Sequence, residues 1–231
     1  FISMICLMMI FLPAHVFFSV DAARRKNGVA SATIPVWCVD SLKFFVCLVY
    51  LYAGLSKINS DWLLEALPLR IWLRAKNDLP LIGSFFNYTS VAYAFSWLGC
   101  LYDLIIPFLL LNRRTRLIGY AGVVVFHSLT SMLFPIGMFP YIMMATALVF
   151  FSGDVHLKII SRVFGWMKVS TTNVIEKKYD RAWLSTRCLP IAFSIFLFMQ
   201  IILPLRYVLY PNELFWTEQG YRFSWRVMLM E

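Results

Sequence analysis

Apolar residues run in long unbroken blocks along this chain, and charged residues fall almost entirely between them. The blocks predict six membrane-crossing segments, at 1–20, 44–56, 88–112, 117–134, 138–151 and 189–210. A bilayer core calls for about 20 apolar residues rising about 1.5 Å each. The charge-free run 117–153 is therefore too long for one crossing, and the breakers in Pro135-Ile136-Gly137-Met138-Phe139-Pro140 divide it. Its second half is short, so it is expected to tilt or to cover only part of the bilayer. The 44–56 block is expected to extend toward the N-terminus past Lys43. The runs are continuous rather than alternating, which predicts helices and not strands. Two further stretches, 62–74 and 155–166, mix Trp, Leu, Ile and Val with Arg, Lys, Glu and His, as helices lying in the headgroup plane do. The fold class expected is all-α: a polytopic transmembrane bundle of about six spans with interfacial amphipathic helices.

Composition sharpens this picture. Of 231 residues, 61% are hydrophobic and only 14% charged, and the mean hydropathy is +0.73. A soluble domain is roughly half apolar and about a quarter charged, so a soluble enzyme and a disordered chain are both excluded. No repeat or low-complexity stretch stands out, and one domain over 1–231 is expected. The chain opens on Phe1 inside an apolar run, with no basic segment before it and no small-residue cleavage site. That is not a signal peptide, and the expectation is a piece of a longer membrane protein that lacks a soluble C-terminal domain.

Net charge is +9. Membrane lipid accounts for that excess better than nucleic acid, because no basic stripe with interleaved aromatics lies outside an apolar context. Thirteen of the lysines and arginines fall in loops 21–39, 113–116 and 152–188, against seven on the opposite side, so the first set is expected to be cytoplasmic. Lys57 and the C-terminal tail then face the outside or a lumen. The five cysteines form no CxxC pair and three lie within apolar runs, which reads as buried small hydrophobes rather than disulfides or a metal site.

Ionisable groups inside a bilayer are costly and mark function by default. The chain has Lys57, Asp103, His15 and His127 in such positions, while Lys43 and His156 stand near interfaces and can reach water. Lys57 ends an otherwise apolar helix, just after Gly54, whose missing Cβ lets a backbone or a flat ligand approach. Desolvation disfavours a charged amine, so a lysine here is a candidate base; a lysine reaching out to the interface is the competing reading. Paired intramembrane histidines serve as hydrogen-bond partners, heme ligands or acid–base groups. Asp103 needs a cationic or N–H partner in its span, and can orient a catalytic His or Lys. No Ser-His-Asp order, HExxH, P-loop or GxGxxG occurs.

Several segments carry a resemblance. Ala53-Gly54-Leu55-Ser56-Lys57-Ile58-Asn59-Ser60-Asp61-Trp62 resembles the AG-x-K-K-L-D-x-D-W segment of vitamin K-dependent γ-glutamyl carboxylases, members of the wider group with a horizontally transferred transmembrane (HTTM) domain. Upstream, His15, Ser19-Val20-Asp21, Ala23-Arg24-Arg25-Lys26-Asn27 and Pro35-Val36-Trp37 resemble that family's H-x-x-x-SVD…ARRRN…VPLW run. Downstream, Leu101-Tyr102-Asp103-Leu104 resembles its LLDL span, and Phe126-His127-Ser128 with Leu133-Phe134-Pro135-Ile136-Gly137-Met138-Phe139-Pro140-Tyr141 resembles FH…LFSIGMFSY. Gly220-Tyr221-Arg222-Phe223-Ser224-Trp225-Arg226 resembles GYGYSW. The matches keep their order over nearly the whole chain; Ser56 and Ala14 stand where the family has lysine and often asparagine.

The resemblance implies a membrane-embedded carboxylase-like enzyme. It would couple oxidation of reduced vitamin K (the hydroquinone) by O₂ to γ-carboxylation of glutamate with CO₂, without a metal. Lys57 matches the family's base, and His15 matches the histidine tied to the glutamyl carbanion and CO₂. His127 joins them as a catalytic candidate, while Gly54, Trp62, Asp103, Gly137, Met138, Phe139 and Tyr141 are the implied substrate-binding positions. The implied partners are the quinol, membrane lipid and a glutamate-containing protein. Two other readings stay open on the residues alone: a non-catalytic quinone- or lipid-binding scaffold, and a heme-binding electron carrier using His15 and His127.

Overall fold

In the computed structural model, residues 1–14, 34–163, 187–210 and 224–225 are described. All regular elements among them are helical. The chain forms α1 (Ile2–Phe11), α2 (Val36–Ser56), a π-type turn (Ser60–Leu64), α3 (Leu67–Arg74), a 3₁₀ turn (Gly83–Asn87) and α4 (Thr89–Leu111). Then follow α5 (Arg116–Leu133), α6 (Phe139–Thr146) with a 3₁₀ extension (Ala147–Phe150), α7 (Gly153–Val163) and α8 (Cys188–Ile202), continued by a 3₁₀ turn (Leu203–Leu209).

Four of these helices are long and apolar enough to cross a membrane: Val36–Ser56, Thr89–Leu111, Arg116–Leu133 and Cys188–Leu209. Counting Phe139–Phe150 and Gly153–Arg162 as one bent span raises the number to five. Ile2–Phe11 is a shorter apolar helix, and the rest of the block expected at 1–20 lies beyond residue 14, outside the described residues. The half-span expected at 138–151 is real: α6 and its extension rise about 18 Å at 1.5 Å per residue, short of a full bilayer.

The expected extension of the 44–56 block past Lys43 is present: α2 starts eight residues before position 44, at Val36, just after Pro35. Asp40 and Lys43 interrupt the apolar block in the sequence, but they pair at 3.3 Å one turn apart and so offset each other within the helix. Residues 36–39, assigned to a loop by charge, are thus helical.

The chain divides into two units: Phe1–Phe44 with Val149–Leu197, and Phe45–Leu148 with Phe198–Glu231. In the first, the rings of Trp37 and Phe193 meet edge-on at 5.2 Å. In the same unit, Leu7, Met8 and Phe11 of α1 border a small apolar pocket with Leu189, Phe193 and Phe196 of α8. α7 is amphipathic, as expected for the part of 155–166 that it covers, with Asp154 in its first turn and Arg162 in its last; residues 164–166 lie outside the described residues.

In the second unit, α4 packs on α5, α5 on α6 and α3 on α4. α2 meets α4 closely at Gly54: a Cβ there would lie 2.7 Å from Leu104 Cδ2 and 3.2 Å from the Leu104 amide nitrogen. The outward side chains of these helices are large and apolar, among them Leu98, Phe108 and Ile118. Surfaces of that kind are solvated by lipid rather than water.

The segment after α2 folds back on α4. Asn59 caps its turn, accepting from the Trp62 amide at 2.9 Å and donating to the Ser56 carbonyl at 2.9 Å. Trp62, Ala66, Leu69 and Leu73 then join Phe86, Ala92 and Leu133 in a buried cluster. Leu69 and Leu73 are one turn apart on α3, so one face of that helix is buried while Ile71 and Arg74 remain exposed. Amphipathicity was expected for 62–74; the burial of Trp62 was not.

Candidate functional site

Three helices of the second unit turn one stripe each toward a shared cavity of about 430 Å³. On α2 and the residue after it, the stripe is Tyr50, Ala53 and Lys57, spaced three and four apart. On α4 it is Phe95, Leu98, Gly99, Tyr102 and Asp103, and on α5 it runs from Gly122 to Leu133 with the same spacing. Residues at i, i+3, i+4 and i+7 share a helix face, so the cavity follows from helical periodicity. Trp62, Leu69 and Trp72 border it from the α2–α4 connection, and Ile136, Phe139 and Met143 from the region of α6. Its size falls in the range of small-molecule sites, about 300–1,000 Å³.

Lys57 follows the last residue of α2, where the helix tightens. Its amide donates to the Gly54 carbonyl at 3.0 Å, and Ile58 donates to Leu55 at 3.1 Å. The side chain turns inward and is 8% exposed. Its Nζ donates to the Ala53 carbonyl at 3.2 Å and forms an ion pair with Asp103 Oδ2. It also lies 5.6 Å from the centre of the Trp62 ring, within cation–π range. Asp103 is buried. Pro107, one turn further along α4, is likewise buried and has no N–H to offer the Asp103 carbonyl.

Trp62 is held from both directions. Its Nε1–H donates to the Ser96 carbonyl at 3.2 Å, and the Ser96 hydroxyl donates to the Trp62 carbonyl. Trp97 Nε1–H and the Tyr93 hydroxyl add bonds to the carbonyls of Leu63 and Leu64, at 3.1 and 2.8 Å.

His127, 3% exposed on α5, forms the second polar point of the wall. A 2.9 Å hydrogen bond joins its Nε2 to the Tyr50 hydroxyl, and its Nδ1 is buried without a hydrogen-bond partner among the described residues. Tyr102 and Phe126 stack at 3.9 Å with 15° between their planes, and Phe139 approaches the His127 ring at 6.3 Å. The remaining wall is largely aliphatic and aromatic. At one side the cavity is bordered by side chains that also face outward: Leu98 and Val125 are 64% and 60% exposed.

Of the residues singled out from sequence, Lys57, Asp103, His127, Trp62 and Phe139 border this one cavity. Gly54 sets the α2–α4 approach beside it. Gly137 has φ +60°, a conformation glycine adopts without penalty, and shapes the turn into α6. Met138 and Tyr141 do not line the cavity and are 68% and 52% exposed. His15 lies outside the described residues. Tyr50 and Tyr102 were missed, although Tyr50 stands two helical turns before Lys57 on the same stripe. Among the described residues no cluster of three or more His, Cys, Asp or Glu is arranged to hold a metal ion.

The HTTM domain family matches residues 1–154 of the chain. The lumenal domain family of the vitamin K-dependent gamma-carboxylases matches residues 185–231. No solved structure matches. With its first 154 residues covered and four described helices long and apolar enough to cross a bilayer, the chain is an integral membrane protein and belongs to the HTTM domain family.

Proposed function

We propose that this chain is the membrane-embedded core of a carboxylase that couples oxidation of reduced vitamin K by O₂ to γ-carboxylation of glutamate with CO₂. The observation that carries the reading is Lys57 Nζ, buried in the wall of an apolar cavity and paired with Asp103. The two family matches support it, one at each end of the chain.

The cavity fits a quinol. Its volume suits a bicyclic ring, its walls include the stacked Tyr102–Phe126 pair, and its polar groups are few. The quinol, once deprotonated and oxidised by O₂, supplies a base stronger than any side chain. The protein's part is to take the first proton. A quinol hydroxyl is a weak acid, so its acceptor must be an uncharged amine kept from water. For Lys57 to accept that proton, the ammonium proton must first pass from Nζ to Oδ2, an exchange that frees the lone pair and converts the ion pair into two neutral groups. Asp103 is then the partner that sets the charge state of Lys57. The Ala53 carbonyl holds Nζ in place, and the Trp62 ring closes one side against water.

On this reading, Lys57 and the C-terminal tail face the lumen or the outside, and the basic loops face the cytoplasm. The substrate is a glutamate on a partner protein. The test is Lys57→Ala in the full-length protein, followed by quinol epoxidation and carboxylation of a glutamyl peptide. Loss of both, with quinone binding retained, is the expected result. Epoxidation at the wild-type rate overturns the reading. Quinone binding by the wild type without any turnover leaves the cavity as that of a quinone- or lipid-binding scaffold.

A further inference from the structure

The Lys57–Asp103 pair forms one polar group of the cavity wall, and the Tyr50–His127 pair forms a second, near enough to sense the charges of the first. Nothing in the proton-transfer step above uses the second pair. Yet Nδ1 of His127 is buried with no hydrogen-bond partner among the described residues, on a side chain that borders the cavity. Buried polar atoms are rarely left so.

The Tyr50 bond decides what that nitrogen is. A neutral imidazole carries one hydrogen, on either nitrogen, and the bond made at the other nitrogen selects which. If the Tyr50 hydroxyl donates to Nε2, its one proton rests on a strong acceptor. In the reverse arrangement Nε2–H donates to the Tyr50 oxygen and the Tyr50 proton must turn elsewhere; its neighbour, the Tyr102 hydroxyl, is buried without a hydrogen-bond partner among the described residues and so does not receive it. Donation from Tyr50 to Nε2 therefore puts the imidazole hydrogen on Nδ1. The unmet group becomes a donor, and it calls for an acceptor oxygen on whatever the cavity holds.

We infer that Tyr50 is a positioning residue: it fixes His127 as the Nδ1–H tautomer, which donates a hydrogen bond to a ring oxygen of the bound quinone. The inference rests on the quinone reading of the cavity and adds a recognition group to it. It assigns to one oxygen of the ligand a neutral donor, while Lys57 serves a proton-bearing oxygen. A ring compound with oxygens at two positions satisfies both groups; a plain hydrocarbon or an acyl chain satisfies neither.

Two measurements test it on the whole chain in detergent or nanodiscs. Nitrogen NMR of isotope-labelled histidine, with His127→Gln to assign the signal, is expected to show His127 with Nε2 bare and Nδ1 protonated. An Nε2–H tautomer in the wild type overturns the inference without any variant having to fold. The second measurement is equilibrium binding of menadione, which needs no turnover. Tyr50→Phe keeps the ring and is expected to weaken menadione about tenfold, one ordinary hydrogen bond, and to mix the two tautomers. Unchanged menadione affinity in Tyr50→Phe overturns the inference alone. Absence of menadione binding in the wild type overturns this and the quinone reading together, whereas epoxidation surviving in Lys57→Ala beside a weakened Tyr50→Phe removes only the role of the lysine.

Discussion

Lys57 and Asp103 are separated by 46 positions in sequence and joined by an ion pair in the interior of the second unit. Both side chains are buried, on different helical segments. The pair therefore ties the end of α2 to the middle of α4, and its parts are not independent.

Breaking that pair singly is expected to cost about 3–5 kcal/mol, because one charge is left buried alone. Lys57→Met and Asp103→Leu should each lower the unfolding temperature in detergent. The double variant should recover most of the loss, since an apolar pair of similar volume needs no desolvation compensation. A double variant no more stable than either single one contradicts the pairing.

Gly99 borders the cavity, and a Cβ there would meet nothing within 4 Å. Gly99→Leu should fill space without a clash. Helix propensity favours it too, by somewhat under 1 kcal/mol. The expected outcome is an unfolding temperature equal to or above the wild type, with menadione binding lost. Retained binding would place the ligand elsewhere.

The Gly54 contact works in the opposite sense. Gly54→Ala brings a methyl group against the Leu104 side chain and within 3.2 Å of its amide nitrogen. Overpacking of this kind costs about 1–3 kcal/mol. Adding Leu104→Ala removes the side-chain part of the clash but not the backbone part, so partial rescue of the melting temperature is the expected result.

Trp62 and Trp72 both border the cavity and meet edge-on at 6.2 Å. Quinones quench tryptophan emission at short range, so menadione should quench the protein. Although the chain has eight tryptophans, replacing these two with Phe should remove most of the saturable quenching. A double variant that quenches like the wild type argues against the cavity as the binding place.

The bundle was legible because charges between apolar blocks mark where helices leave the bilayer. The same rule carried the 44–56 helix past Lys43 as expected but ended the preceding loop at 39, beyond the helix start at Val36. The chemistry of Lys57, Asp103 and His127 was visible as ionisable groups in apolar surroundings, but which of them pair was not. Lys57 and Asp103 lie on different helices, and only packing decides their distance. Tyr50 and Tyr102 escaped notice because a phenol in an apolar run counts as one more aromatic residue. Met138 and Tyr141 belong to a recognisable motif, yet the bend at Gly137, with its φ of +60°, turns Ile136 and Phe139 to the cavity and leaves Met138 and Tyr141 exposed.

The outward-facing side chains of Leu98 and Val125 have a consequence for measurement. They belong at once to the cavity rim and to the exposed apolar surface of the helices. A molecule crossing that rim comes from the hydrocarbon phase, so what governs occupancy is its mole fraction in the lipid, not its aqueous concentration. Apparent dissociation constants should then rise in proportion to the amount of detergent or lipid added. Titrations at different lipid-to-protein ratios will agree only when expressed per mole of lipid.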